Sequence, residues 1–281
     1  MTPGDIIRRP IEWLRPPGPV VAVLRLDGVI NARTRRGLSL GRFAPAIERA
    51  FRLRHLKAVA LAINSPGGAP AQSQLIYRRI RQLADEHAVP VFAFAEDVAA
   101  SGGYWLALAA DEIYAEESSL VGSIGVVSAG FGFAQLLNRF GIERRLYTAG
   151  TDKSLLDPFL PEEPRDVERL GSLQRDLHES FKSLVRARRG ARLKGEEATV
   201  MSGEVFSGRR ALGLGLIDGI GDMRGILRER FGAKLRLRPI EPERRRFALS
   251  FAWRRRPAIG DLAADLAAEL DERMIWARFG L

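Results

Sequence analysis

Ser101 stands in Ala99-Ala-Ser-Gly-Gly-Tyr-Trp105, where a β-rich apolar run gives way to an apolar helical one. A serine at that turn sits at a helix N-terminus, whose free amides and dipole favour negative charge and so suit an activated hydroxyl. The same placement suits a plain N-cap, with the glycines as packing devices. A second glycine pair, in Asn64-Ser-Pro-Gly-Gly68, closes the apolar run 58–63 one βα unit earlier. The Gly67 and Gly68 amides then lie at a strand's carboxyl end, where open α/β sheets place ligands, and with the Gly102 amide they can hold a developing oxyanion. Turn chemistry alone also accounts for Ser-Pro-Gly-Gly. Two such elements one unit apart favour the chemical reading.

A nucleophilic serine needs a base. His55 lies beside Arg54 at the end of a helical stretch, His87 in a polar turn and His178 inside a long helical stretch, so none has a triad-like setting. Lys153 lies in the loop Thr148-Ala-Gly-Thr-Asp-Lys-Ser154, and 153 − 101 = 52 residues separate it from the serine. Arginine stays protonated in proteins, whereas a desolvated lysine can lose its proton near neutral pH. The chain uses 39 Arg against five Lys, so a lysine here fits a need for that chemistry. Chance placement of one lysine in five is the plain alternative.

Around these residues the sequence alternates helical and strand-like periods. Strands are expected at 20–26, 58–63, 89–95, 112–115, 124–128 and 144–148, and helices at 43–53, 71–86, from 101, 133–140 and 164–189. In 164–189, Val167, Leu170, Leu173, Leu177, Phe181 and Leu184 recur at three- and four-residue steps, the mark of an amphipathic helix. Residues 199–231 return toward the core, and 261–277 reads as a second amphipathic helix. Repeated βα units imply an α/β fold with a mostly parallel sheet and helices on both faces. The expected division is an irregular basic leader at 1–19, one catalytic domain at 20–239, and a basic linker with a C-terminal helix at 240–281.

Composition narrows the partners. With 281 residues and 46% apolar content the chain can bury a globular core. It has no cysteine and three scattered histidines, so no disulfide, thiol nucleophile, metal site or cofactor is expected. Net charge is +10, yet 82–138 contains no Lys or Arg and carries Asp85, Glu86, Glu96, Asp97, Asp111, Glu112, Glu116 and Glu117. Basic residues gather toward the ends, at Arg8, Arg9, Arg15, Arg33, Arg35 and Arg36 and in the arginine runs 244–246 and 254–256. These suit a peripheral contact with anionic lipid or a solvated face, and no nucleic-acid partner is expected because no aromatic-interleaved basic motif is present. No run reaches the roughly 18 apolar residues of a membrane span, and 1–19 is too broken by Arg and Pro to be a secretory signal. A cytoplasmic location is the expectation.

Four motifs occur in order: Asn64-Ser-Pro-Gly-Gly68, Ala100-Ser-Gly-Gly-Tyr104, Gly122-Ser-Ile-Gly-Val126 and Gly150-x-x-Lys-Ser154, followed by Phe206-Ser-Gly-Arg-Arg-Ala-Leu-Gly-Leu-Gly-Leu-Ile-Asp-Gly-Ile220. In these the chain resembles the signal peptide peptidase A (SppA/SohB) family of serine peptidases, over roughly residues 20–232. The resemblance implies a ClpP/crotonase-like fold, Ser101 as nucleophile, Lys153 as general base, and the Gly67 and Gly102 amides as oxyanion donors. For Ser123, with Gly68 in support, it suggests orienting the lysine amine, with a plain strand-turn hydroxyl as the equal alternative. It further implies apolar or signal-peptide-like peptide substrates and a homo-oligomeric ring, in which one copy or two neighbouring copies can supply Ser101 and Lys153. Family members often carry an N-terminal membrane span, and none is seen here. Two other functions share the expected architecture. One is a crotonase-type acyl-CoA hydratase or isomerase, using carboxylates such as Glu96, Asp97, Glu116 and Glu117, and the other is a catalytically silent, membrane-associated oligomeric scaffold.

Overall fold

A computed structural model describes residues 18–34, 37–150, 153–242, 269–270 and 272–281. The basic leader up to residue 17, both C-terminal arginine runs and the greater part of the expected helix 261–277 lie outside the described residues. In chain order the strands are β1 (Val20–Asp27), β2 (Leu56–Ser65), β3 (Val91–Ala100), β4 (Glu112–Ala115), β5 (Leu120–Gly122), β6 (Val205–Ser207), β7 (Gly219–Ile220) and β8 (Arg236–Ile240). The helices are α1 (Leu40–Phe51), α2 (Pro70–His87), α3 (Gly102–Ala107), α4 (Ala134–Arg139), α5 (Pro164–Arg189), α6 (Glu197–Val200), α7 (Gly208–Gly213) and α8 (Met223–Phe231).

Side chains two apart along a strand share a face, and both faces of the central strands are apolar. Leu24, Leu26, Val59, Leu61, Ile63 and Val91 face a large core that takes in buried residues of α1, α2 and α3. Val21, Ala58, Ala60, Phe92, Phe94 and Tyr114 face a smaller one closed by Leu227 of α8. Burial on both sides dictates covering helices on both sides, as the unbroken apolar runs imply. Among the described residues the sheet runs β6-β5-β3-β2-β1-β8, with β4 on β3 and β7 beside β4. All these pairs are parallel except β5 with β6.

β3 changes neighbours midway. Its first half pairs with β4 through Phe92 to Ala95, and its last residues, Val98 to Ala100, pair with β5. Between them the register against β2 jumps from Ile63 opposite Ala95 to Ser65 opposite Ala99, a bulge that bends the strand. Asn64 fills it, accepting from the Val98 amide at 3.2 Å and donating to the Asp97 carboxylate at 3.2 Å. Ser119 closes the other side by donating to the Glu96 carbonyl at 2.6 Å. The end of β3, which leads into Ser101, is thus held independently of its start.

α5 docks by its C-terminal half. Phe181 stacks on Trp105 with ring centroids 4.6 Å apart, and Val185 is fully buried. At its end the buried Arg189 pairs with Asp218 at 2.7 Å, while Asp218 also accepts from the Ile113 amide at 2.8 Å. Burial pushes the Asp218 carboxyl up, but Arg189, that amide and Arg192 outweigh it and hold the group below its usual range. Beside this pair the buried Tyr104 hydroxyl donates to the Leu216 carbonyl at 2.7 Å.

Two sequence expectations fail. The strand expected at 124–128 is instead β5 at Leu120–Gly122, because the Gly125 amide turns back onto the Ser123 carbonyl at 2.9 Å and breaks the ladder. The strand expected at 144–148 is an exposed irregular segment with Tyr147 90% accessible; strand propensity needs a neighbouring strand, and among the described residues none pairs with it. Conversely, 236–240 forms the edge strand β8, where Pro239 is tolerated.

Candidate active site

Ser101 ends β3 and caps α3 with φ 52° and ψ −120°, a backbone region that L-residues other than Asn and Asp seldom enter. Its amide donates to the Gly122 carbonyl at 2.8 Å, which locks the turn onto the end of β5. The residue is half-buried and lines a groove of about 490 Å³ together with Gly68, Ser123 and His178. A strained residue exposed at the end of a buried strand, where the sheet passes from one neighbour to another, is how folds present a reactive side chain.

The two glycine elements meet here. A Cβ on Gly67 would lie 2.7 Å from the Gly102 amide nitrogen and 2.8 Å from the Ser101 Cβ, so only glycine allows this approach. The Ile30 amide donates to the Gly67 carbonyl and the Ala69 amide to the Ile30 carbonyl, both at 2.8 Å. In such a parallel bridge the flanked residue, Gly68, turns its own N–H away from the Ile30 strand. Its nitrogen is 3.2 Å from where a Cβ of Gly102, the residue after Ser101, would stand. The Gly67 amide, by contrast, donates to Ser65 Oγ at 3.2 Å, and Ser65 Oγ donates to the Gly28 carbonyl at 2.7 Å. Gly102 is the first residue of α3, so its amide has no partner in the helix.

Ser123 is close by, with φ 52° and its amide bonded to the Glu204 carbonyl at 2.7 Å. Lys153 stands exposed in a turn after the irregular segment 144–150, and it is not among the described residues lining the Ser101 groove. The structure therefore brings together Ser101, Gly67, Gly68, Gly102 and Ser123, and Lys153 does not join them in that lining. His178 enters unannounced: its Nε2 lies 3.0 Å from the Ile124 carbonyl and 2.9 Å from the Met201 carbonyl, tying the two rims of the groove to α5. Its position inside a helical period concealed this role. Among the described residues no carboxylate lines the groove; Glu96, Asp97 and Glu116 line a different cavity.

Residues 84–231 match the model of peptidase family S49, just over half of the chain. The chain belongs to peptidase family S49. This bears out its resemblance to the signal peptide peptidase A family, whose relatives include the chloroplastic serine protease SPPA of Arabidopsis thaliana, 37% identical over 171 residues. That match covers 59% of this chain and 24% of the plant protein. A Na(+)/H(+) antiporter NhaA of Brucella abortus is 50% identical over 277 residues, covering 93% of this chain and 37% of that protein. The S49 chain thus spans little more than a third of the Brucella relative. A solved structure described as a membrane-bound stomatin-specific protease, a serine-to-alanine mutant, superposes with a TM-score of 0.51. It is 16% identical, covers 80% of this chain and 99% of its own, and shares the ClpP-like fold. Among the described residues no helix is long and apolar enough to cross a membrane.

Proposed function

We propose that this chain is a serine endopeptidase in which Ser101 is the nucleophile and Lys153 the general base. The observation that carries the reading is Ser101 itself, held in a left-handed turn within reach of two glycine amides at the carboxyl end of a parallel sheet. In the scheme, Ser101 Oγ attacks a peptide carbonyl and passes its proton to a neutral Lys153 amine. The Gly68 and Gly102 amides stabilise the oxyanion, each contributing about 3 kcal/mol on the scale of such donors. Gly67, assigned this part on sequence grounds, acts instead through the cradle, since its amide is engaged by Ser65. Collapse of the intermediate returns the proton to the leaving amine. Water, deprotonated by the same lysine, then releases the acyl group as a carboxylate and restores the serine. Ser123 orients the lysine amine.

Lys153 reaches the groove from a neighbouring copy in a ring. Its exposure supports this, as do the apolar residues on the segment that carries it: Phe131, Phe140 and Tyr147 are 76%, 70% and 90% accessible. A neighbour that covers the segment also removes water, the condition under which an ammonium gives up its proton. Substrates are apolar or signal-peptide-like peptides, and the likeness to a Na(+)/H(+) antiporter of Brucella and to a membrane-bound stomatin-specific protease favours work at a membrane surface through a peripheral contact. The absence of a carboxylate among the described residues lining the groove counts against the hydratase alternative.

The test is complementation. Ser101→Ala and Lys153→Ala assemblies should each lose activity on a quenched fluorescent peptide. Mixed and re-formed, they should regain a fraction of it, because some interfaces then pair an intact serine with an intact lysine. Wild-type rates in either single variant would reject the dyad, and failure of mixed assemblies to recover would reject its division between copies.

A further inference from the structure

The described C-terminal residues form a short helix at 272–277 that lies against the body, with Glu272, Ile275, Trp276 and Phe279 half-buried and Arg273, Met274 and Ala277 exposed. The spacing of the covered residues, i, i+3, i+4 and i+7, puts them on one helical face. That face meets the site: Ile275, Arg278 and Phe279 line the same groove as Ser101, Ser123 and His178. Glu272 approaches the turn at Gly28, with its Oε1 3.6 Å from where a Cβ on that glycine would stand.

A segment in this place is either a substrate or a plug, and its conformation decides. Groove-bound substrate peptides are held extended, with free backbone groups that pair with the groove wall. Here the Phe279 amide bonds the Trp276 carbonyl at 2.9 Å and the Gly280 amide bonds the Ala277 carbonyl at 3.1 Å, so the backbone pairs with itself. Its Ile275 and Phe279 side chains form part of the groove's wall, and no extended peptide is offered to the serine.

We infer that the groove beside Ser101 is a binding site for this amphipathic helix, which occludes it in cis and must leave before a peptide enters. The inference rests on the peptidase reading of the groove and adds what occupies it at rest. Apparent activity is then the intrinsic activity multiplied by the fraction of chains with the helix displaced. The side chains that fit, an Ile and a Phe four residues apart, also name the side chains the groove takes.

The full chain carrying Ile275→Asp and Phe279→Asp tests this, with Met274→Asp on the exposed face as control. Labelling of Ser101 by a fluorophosphonate probe should be about tenfold faster in the double variant and unchanged in the control, for a helix seated about nine-tenths of the time. Should the aspartates cause aggregation, Ile275→Ala with Phe279→Ala should give a smaller rise in the same direction. A second measurement needs no chemistry: a fluorescein-labelled peptide of residues 269–281 should bind saturably to the double variant also carrying Ser101→Ala. The same peptide with both aspartates should not bind. Equal labelling of wild type and double variant, with no peptide binding, overturns the plug and leaves the peptidase reading standing. Absence of labelling in every variant overturns the peptidase reading, and peptide binding alone then decides whether the groove holds the helix.

Discussion

The body formed by β1 to β5 and the segment from Val127 to Leu177 follow opposite rules. In the body nearly every large apolar side chain is buried, with Leu24, Leu26, Leu61, Ile63 and Tyr104 at zero accessibility. In the segment Val127, Phe131, Leu136, Phe140, Ile142, Tyr147 and Leu173 are all exposed. Leucine and phenylalanine do not separate them, since both regions carry many of each. What differs is whether this chain supplies a partner face, and the two proposed catalytic residues fall one on each side of that divide.

If the divide is real, Ser101→Ala and Lys153→Ala should both lower peptide cleavage on the order of 10⁴-fold, as members of one catalytic unit do, with circular dichroism and melting unchanged. A large loss in one and a small loss in the other would break the equivalence of the two regions. Next in size, Asp218→Asn in the body strands the buried Arg189 and should cost about 3 kcal/mol in urea unfolding. The sign with pH is fixed. A carboxyl held below its usual value contributes stability above that value of 3.8 and loses it as pH falls through the folded-state pKa, so the wild type should weaken in acid and Asp218→Asn should lack that part of the slope. Within the segment, Phe131→Ser with Phe140→Ser should shift sedimentation toward monomer while changing the unfolding midpoint of that monomer by less than about 0.5 kcal/mol. A fall in monomer stability would mean that the segment packs on its own body. Smallest of all, Ser101→Gly should raise stability by about 1 kcal/mol while abolishing cleavage, because glycine takes the left-handed turn without strain.

What the sequence made legible follows the same divide. The bounds of β4 and α5 match the expectations at 112–115 and 164–189: β4 is buried by its own chain, and α5 keeps its helical period although only its C-terminal half, at Phe181 and Val185, is buried there. The strand expected at 144–148 has the right periodicity and no pairing strand among the described residues, and β8 has a neighbour but an arginine-rich, Pro-containing edge sequence that hides it. At the site, residue types announced Ser101 and the glycines. They did not announce that Ser65 would take up the Gly67 amide and leave the one at Gly68 free, since that depends on a bridge to Ile30 some forty residues away in sequence. Nor did the helical period around residue 275 say which surface it would cover. Amphipathicity specifies a face and is silent about its partner.

The unusual backbone angles at position 101 also restrict the chemistry open to this site over evolutionary time. Threonine carries the same hydroxyl and serves as a nucleophile in other hydrolases, but its second γ substituent stiffens χ1 and crowds the main chain where φ is positive. Here the space beside the Cβ is already taken by the glycine at 67. Exchange of one alcohol for the other, which a flat or extended backbone would tolerate, is closed to this scaffold unless the whole corner is rebuilt.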